Sequence, residues 1–207
     1  WGMFKKVAIA DHMAPVVNAI FSRYESMGGL VLVGAIFCTI QLYMDFAGSI
    51  DIAIGSARIF GIVLPENFTQ PFFAKNASDF WHRWHITLGT FFRDYIFYPV
   101  SLSKPVMKLT KWCKQHLGKT VAKYIGPAIA LFCVWISNGL WHGPQWNYIL
   151  YGIYYFILIF AELFMEKPTE NFCKKFNINQ NGFGYRIFRF VKLLVIVCFG
   201  EMVFAAS

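Results

Sequence analysis

Apolar residues in this chain come in long unbroken blocks rather than in alternation. Four of them, at 28–46, 124–140, 146–164 and 188–204, each approach the ~20 residues that a helix needs to cross the hydrocarbon layer of a bilayer. The third block carries Tyr148, Tyr151, Tyr154 and Tyr155, whose amphipathic rings favour headgroup level or a packed interface over open lipid. This pattern predicts an all-α fold, a polytopic transmembrane helical protein with amphipathic and reentrant helices between its spans.

The intervening segments are patterned differently. Residues 4–21 are amphipathic, open with Lys5 and Lys6, and contain Pro15, which predicts an interfacial helix or a span bent at the proline. The first span runs into Gln41-Leu-Tyr-Met-Asp45-Phe-Ala-Gly48, placing Asp45 at its end, where a charge at membrane depth points either to an interface or to a site. At 50–62, Ala53, Gly55, Ser56, Ala57 and Gly61 offer a small-residue surface for close helix approach. Pro65 and Pro71 bracket a loop, because each lacks an amide hydrogen and pushes its predecessor to extended geometry. The sequons Asn67-Phe-Thr69 and Asn76-Ala-Ser78 are short enough to arise by chance.

Asn76 or Ser78 can cap a helix predicted over 79–98. At ~100° per residue, Asp79, His82, Arg83, Thr90, Arg93 and Asp94 share one polar stripe, which describes a helix on the membrane surface or beside a wet cavity. Arg83 with Asp79, and Arg93 with Asp94, read as ion pairs. The same wheel separates two neighbouring histidines. His82 lies in the polar stripe, whereas His85 is turned about 60° further, among Trp81, Phe92 and Ile96, where it needs a buried hydrogen-bond partner or a substrate.

Composition supports the membrane reading. Hydrophobic residues make up 57% of the 207 and charged residues only 14%, against roughly 25% charged in soluble domains. The formal charge of +8 does not indicate nucleic acid, because the cations fall between the apolar blocks. One cluster is Lys104, Lys108, Lys111, Lys114, Lys119 and Lys123; another is Lys167, Lys174, Lys175, Arg186, Arg189 and Lys192. By the positive-inside rule both clusters are cytoplasmic, so blocks two and three form a hairpin whose turn lies away from the cytoplasm. Five cysteines without a C-x-x-C pair give no disulfide or zinc framework. The chain starts at Trp1 and is expected to be an internal piece, one incomplete domain over 1–207 with flanking helices missing at both ends.

The hairpin turn, Asn138-Gly-Leu-Trp-His142-Gly-Pro-Gln-Trp146, holds the most suggestive chemistry. An imidazole titrates near roughly pH 6.5 and can take a proton from a hydroxyl and return one to a leaving group. A hydroxyl needs that help while a thioester is already reactive, so one base in a dry cavity suffices for direct acyl transfer. Neither a Ser nor a Cys adjoins His142, and no G-x-S-x-G is present, which disfavours a covalent acyl-enzyme. Gly139 and Gly143 would let backbone approach the reacting centre, and Trp141 and Trp146 could wall it from water. A reentrant turn that merely needs small residues is the plainer alternative. For zinc, His82, His85 and Asp79 are the nearest candidate ligands, but the wheel splits the imidazoles and no H-E-x-x-H occurs, so no metal is expected.

Five ordered motifs carry a family resemblance over almost the whole chain. They are Gly2-Met-Phe-Lys-Lys-Val-Ala-Ile-Ala-Asp11; Asp45-Phe-Ala-Gly48 with Asp51-Ile-Ala-Ile-Gly55; Leu64-Pro-Glu-Asn-Phe68; Asp79-Phe-Trp-His-Arg-Trp-His85 with Phe92-Arg-Asp-Tyr95; and Gly139-Leu-Trp-His-Gly143. Together they resemble the bacterial membrane-bound O-acyltransferases, in the branch of alginate O-acetyltransferases and teichoic-acid D-alanyl transferases. The resemblance implies a ring of helices around a funnel, with His142 as catalytic base and His85 as the second active-site histidine. It implies a multi-pass plasma-membrane enzyme moving acetyl or D-alanyl to an extracytoplasmic polysaccharide or teichoic acid. The donor would be a thioester co-substrate, acyl-CoA or an acyl carrier protein, with no bound cofactor. Asp45, Arg93, Asp94, Trp141 and Asn138 are expected to shape the cavity or bind substrate. Expected partners are the bilayer, the cytoplasmic donor or carrier, the polymer acceptor and accessory envelope proteins. Two other classes remain open: a transporter or flippase subunit, and a non-catalytic scaffold of an envelope-polymer assembly complex.

Overall fold

The computed structural model describes residues 1–23, 26 and 28–205; residues 206 and 207, the end of the expected 1–207 domain, lie outside the described residues. A π-helical segment Phe4–Ala10 runs into α1 (Asp11–Phe21), followed by α2 (Leu30–Ile59). After a loop and a 3-10 turn at Pro71–Phe73 come α3 (Ala77–Arg83), α4 (Ile86–Phe92), a π-helical turn Arg93–Phe97 and α5 (Tyr98–Ser101). The chain finishes with α6 (Lys104–His116), α7 (Lys119–His142), α8 (Trp146–Lys175) and α9 (Phe183–Ala205). Among the described residues there is no strand, only one isolated antiparallel bridge between Phe68 and Trp84.

Among the described residues, three helices, α2, α7 and α8, are long and apolar enough to cross a membrane. At 1.5 Å per residue, the 24 residues of α7 extend about 36 Å, longer than a hydrocarbon layer of about 30 Å. Large apolar side chains point outward along them, among them Leu32, Phe132 and Ile157, as a surface facing hydrocarbon does. The fourth expected block forms α9, a helix of 23 residues. It is not among the three, because Arg189, Lys192 and Glu201 interrupt its apolar run.

Two boundaries differ from the sequence expectation. The first block and the small-residue segment after it are one continuous helix, so Asp45 sits in the middle of α2 rather than at a span end. Glycine and serine at 48 and 49 do not break it; Gly48 is instead where the amino-terminal segment packs, a Cβ there lying 2.9 Å from the Gly2 carbonyl. The helix expected over 79–98 is also broken at Trp84 and His85: α3 precedes the break, and α4, the π-helical turn and the start of α5 follow it.

Helices α7 and α8 form the expected hairpin. Trp135 meets Gly152, Phe132 meets Phe156 and Tyr124 meets Phe164, partners that step in opposite directions, so the helices run antiparallel and their lysine-rich ends coincide. Gly139 and Gly152 explain how closely they pack: a Cβ on either would collide with a carbonyl oxygen of the other helix, of Tyr148 and Trp135 respectively. Gly139 thus serves helix approach rather than substrate approach. At the tip, Gly143 ends α7 at φ 148°, a conformation that side-chain-bearing residues avoid.

Candidate active site

The short helix α3 carries Asp79-Phe-Trp-His-Arg83, and its seven residues are too few to be stable alone. Tertiary bonds supply what its length cannot. Asn76 is the cap, its side-chain oxygen accepting from the Asp79 amide at 2.8 Å. Glu162, on α8, accepts from the Ala77 and Ser78 amides at 2.8 and 3.0 Å. Three of the four amides that a helix start leaves unpaired are thereby satisfied, and a carboxylate sits at the positive end of the helix dipole. Burial alone would raise the pKa of Asp79, but hydrogen bonds from Arg83 (2.9 Å) and the Lys75 amide (2.8 Å) win, holding it below the usual range.

His85 follows at φ 47° and ψ 56°, a left-handed conformation that costs a non-glycine residue about 1–3 kcal/mol. The surroundings enforce it. Thr69 donates to the Arg83 carbonyl and Ile86 to the Asn67 carbonyl, both at 3.0 Å. These bonds draw the chain away from helix and into the Phe68–Trp84 bridge. Beyond residue 84 the single helical wheel therefore no longer applies. His85 nonetheless lies inward, half-buried, with its ring 4.8 Å from that of Phe46. His82 is exposed and bonds the Ser78 carbonyl at 2.7 Å.

The two histidines that the sequence singled out meet at one cavity of about 690 Å³, whose wall includes His85, His142, Asn138, Arg93 and Glu201. They arrive from segments 57 residues apart in the chain. Trp141, expected to shape the cavity, is not part of its wall and is exposed, although its ring centroid lies 6.0 Å from that of His85 and 4.8 Å from that of His142. Phe204 closes on His142 from α9 at 4.8 Å. Burial pushes the pKa of His85 below its ordinary value, which keeps the ring neutral at neutral pH.

The remaining expected residues are distributed as follows. Asn138 is buried at the cavity wall, and its side-chain oxygen has no hydrogen-bond partner among the described residues. Arg93 lines the cavity while its Nε donates to Asp94 at 2.9 Å. Asp45 lies elsewhere, ion-paired with Lys6; together with Lys5–Asp51 at 2.8 Å, it fastens the amino-terminal segment to α2.

Two residues that sequence reasoning passed over belong to this site. Glu201 is only 5% exposed, faces the cavity and has no cation or hydrogen-bond partner among the described residues. A lone acidic residue inside an apolar block was a signal that could have found it. Asn67 is 8% exposed, and its side-chain oxygen accepts from the Thr87 amide, the Thr87 hydroxyl and His85 Nδ1, at 3.1, 2.7 and 3.1 Å. As a sequon it was unremarkable, and nothing in the local pattern connects it to a histidine 18 residues away.

Known proteins similar to this chain are acyltransferases by name. A probable alginate O-acetylase of Pseudomonas syringae pv. tomato is 31% identical over 206 residues, covering 100% of this chain and 34% of the relative. A teichoic acid D-alanyltransferase of Bacillus subtilis is 35% identical over 169 residues, 82% of this chain and 39% of the relative. A peptidoglycan O-acetyltransferase of Helicobacter pylori is 33% identical over 172 residues, 83% of this chain and 29% of the relative. The chain thus spans about a third of the length of these relatives. Residues 4–108, which contain Asn67 and His85, match the family model described as MBOAT, membrane-bound O-acyltransferase family. With its membrane-length helices and these matches, this chain belongs to the membrane-bound O-acyltransferase family.

Proposed function

We propose that the complete protein transfers a small acyl group, acetyl or D-alanyl, from a thioester donor to hydroxyls of an extracytoplasmic cell-envelope polymer, and that residues 1–207 are part of the one domain that does so. The observation that carries this reading is the convergence of His85 and His142 on one cavity. The acyl groups and polymer acceptors follow the names of the relatives, which are acetylases or D-alanyltransferases of alginate, peptidoglycan and teichoic acid.

In this mechanism a ring nitrogen of His142 takes the proton of the acceptor hydroxyl as its oxygen attacks the thioester carbonyl carbon. The tetrahedral intermediate collapses with cleavage of the carbon–sulfur bond. The thiolate departs and the imidazolium returns its proton, leaving an ester and a free thiol. The apolar wall, including Trp135, Tyr151 and Phe204, keeps water from competing with the hydroxyl. His85 orients the substrate, and Arg93 and Asn138 shape the chamber, with Asp94 acting through its ion pair to Arg93.

The test replaces His142 by Ala in the full-length protein and follows polymer acylation. Loss of a general base predicts a fall of about 10²–10⁴-fold in protein that still folds and inserts. Undiminished transfer would refute the assigned role.

A further inference from the structure

We propose that Asn67 is a positioning residue for the transfer site: it fixes His85 as the tautomer protonated on Nδ1, so that the bare Nε2 faces the cavity as a hydrogen-bond acceptor and receives the proton side of a substrate hydroxyl. The argument runs from atoms whose roles are not negotiable. The Thr87 backbone amide, 3.1 Å from Oδ1 of Asn67, can only donate. The carboxamide must therefore present its oxygen there, since the flipped amide would set two donors against each other. His85 Nδ1 lies 3.1 Å from that same oxygen, which can only accept, so Nδ1 carries the hydrogen.

A neutral imidazole with its hydrogen on one nitrogen has a lone pair on the other. Nε2 is on the opposite edge of the ring from Asn67, has no partner among the described residues, and belongs to a side chain that lines the cavity. Such a nitrogen attracts O–H and N–H donors and repels a carbonyl or an oxyanion. His85 is therefore placed to orient the substrate through a hydroxyl other than the one whose proton His142 takes, not to stabilise charge on the acyl oxygen. The left-handed backbone at His85 and the buried Asn67 belong to one device, since Ile86 also bonds the Asn67 carbonyl.

The assignment of hydroxyl to Nε2 rests on the acyl-transfer reading, but the tautomer can be read without any reaction. In full-length protein carrying ¹⁵N-histidine, with the His85 resonances identified by their loss in His85→Gln, the spectrum at neutral pH should show Nδ1 protonated and Nε2 bare. Asn67→Leu should abolish that preference. A protonated Nε2 in the parent protein would overturn the proposal, whatever the enzyme does. In the acylation assay, Asn67→Leu should lose about 10–100-fold, the range seen when the hydrogen bond supporting a metal-bound histidine is removed. Asn67→Asp should recover most of that loss and move the acid limb of the pH–rate profile up by about one unit, because a carboxylate beside Nδ1–H favours the imidazolium. Equal loss in both variants, or an unmoved acid limb in Asn67→Asp, would reduce Asn67 to a structural role and sink the proposal.

Discussion

Glu162 offers a quantitative test of how the site is held. Its two carboxylate oxygens accept from successive amides at the start of α3, at 2.8 and 3.0 Å. Hydrogen bonds to a charged group contribute about 1.5–3 kcal/mol each. Because Glu162 is only half-buried, solvent screening places the pair near the lower end, about 3 kcal/mol together. Glu162→Ala should forfeit that amount. Glu162→Gln keeps one acceptor oxygen but turns its NH₂ toward an amide donor, and should cost about half as much or slightly more. Since α3 has only seven residues and no stability of its own, the damage should be local, loosening Trp84 and His85 before the spanning helices. Thermal unfolding of the purified full-length protein in detergent, together with polymer acylation, would measure both effects. Melting and transfer at parent levels in Glu162→Ala would refute the reasoning that this carboxylate anchors the histidine-bearing segment.

Two other outcomes follow from the same geometry. Gly152→Leu should prevent α7 and α8 from closing, because even a Cβ at 152 collides with the Trp135 carbonyl; loss of folded protein in detergent chromatography is expected, and a normally folded, active variant would contradict the packing described. Asp79 has its pKa depressed in the fold, so its contribution is present above the unfolded value of about 3.9 and is lost as pH falls through the folded one. Asp79→Asn should therefore be less stable than the parent at pH 6, with the gap narrowing below about pH 4; a gap independent of pH would show that the Arg83 and Lys75 bonds are not its source.

Much of this architecture could be read from the chain because it rests on local pattern. Hydropathy alone located α7 and α8, and the basic clusters flanking them predicted the hairpin between them. Cap chemistry offered Asn76 or Ser78 ahead of a helix from Asp79; Asn76 is the cap, and the helix starts two residues earlier, at Ala77. Long-range bonds were invisible to the same reading. The break at Trp84 and His85 depends on Asn67 and Thr69 pairing with residues well ahead of them, so a continuous wheel over 79–98 was the natural expectation. Asp45 looked like a site residue because a charge at membrane depth demands a partner, and the partner proved to be Lys6 on the amino-terminal segment. His85 was correctly directed inward, though by a tertiary turn instead of the helical phase that suggested it.

The central claim is that His85 and His142 act as one unit on a substrate held between them. A double-mutant cycle on polymer acylation by the full-length protein, comparing His85→Ala, His142→Ala and the double variant, tests it most directly. Residues that serve a single step are strongly non-additive, so the double variant should be no slower than the slower single one. Losses that multiply would mean that the two imidazoles work independently, and the shared-site account would fall.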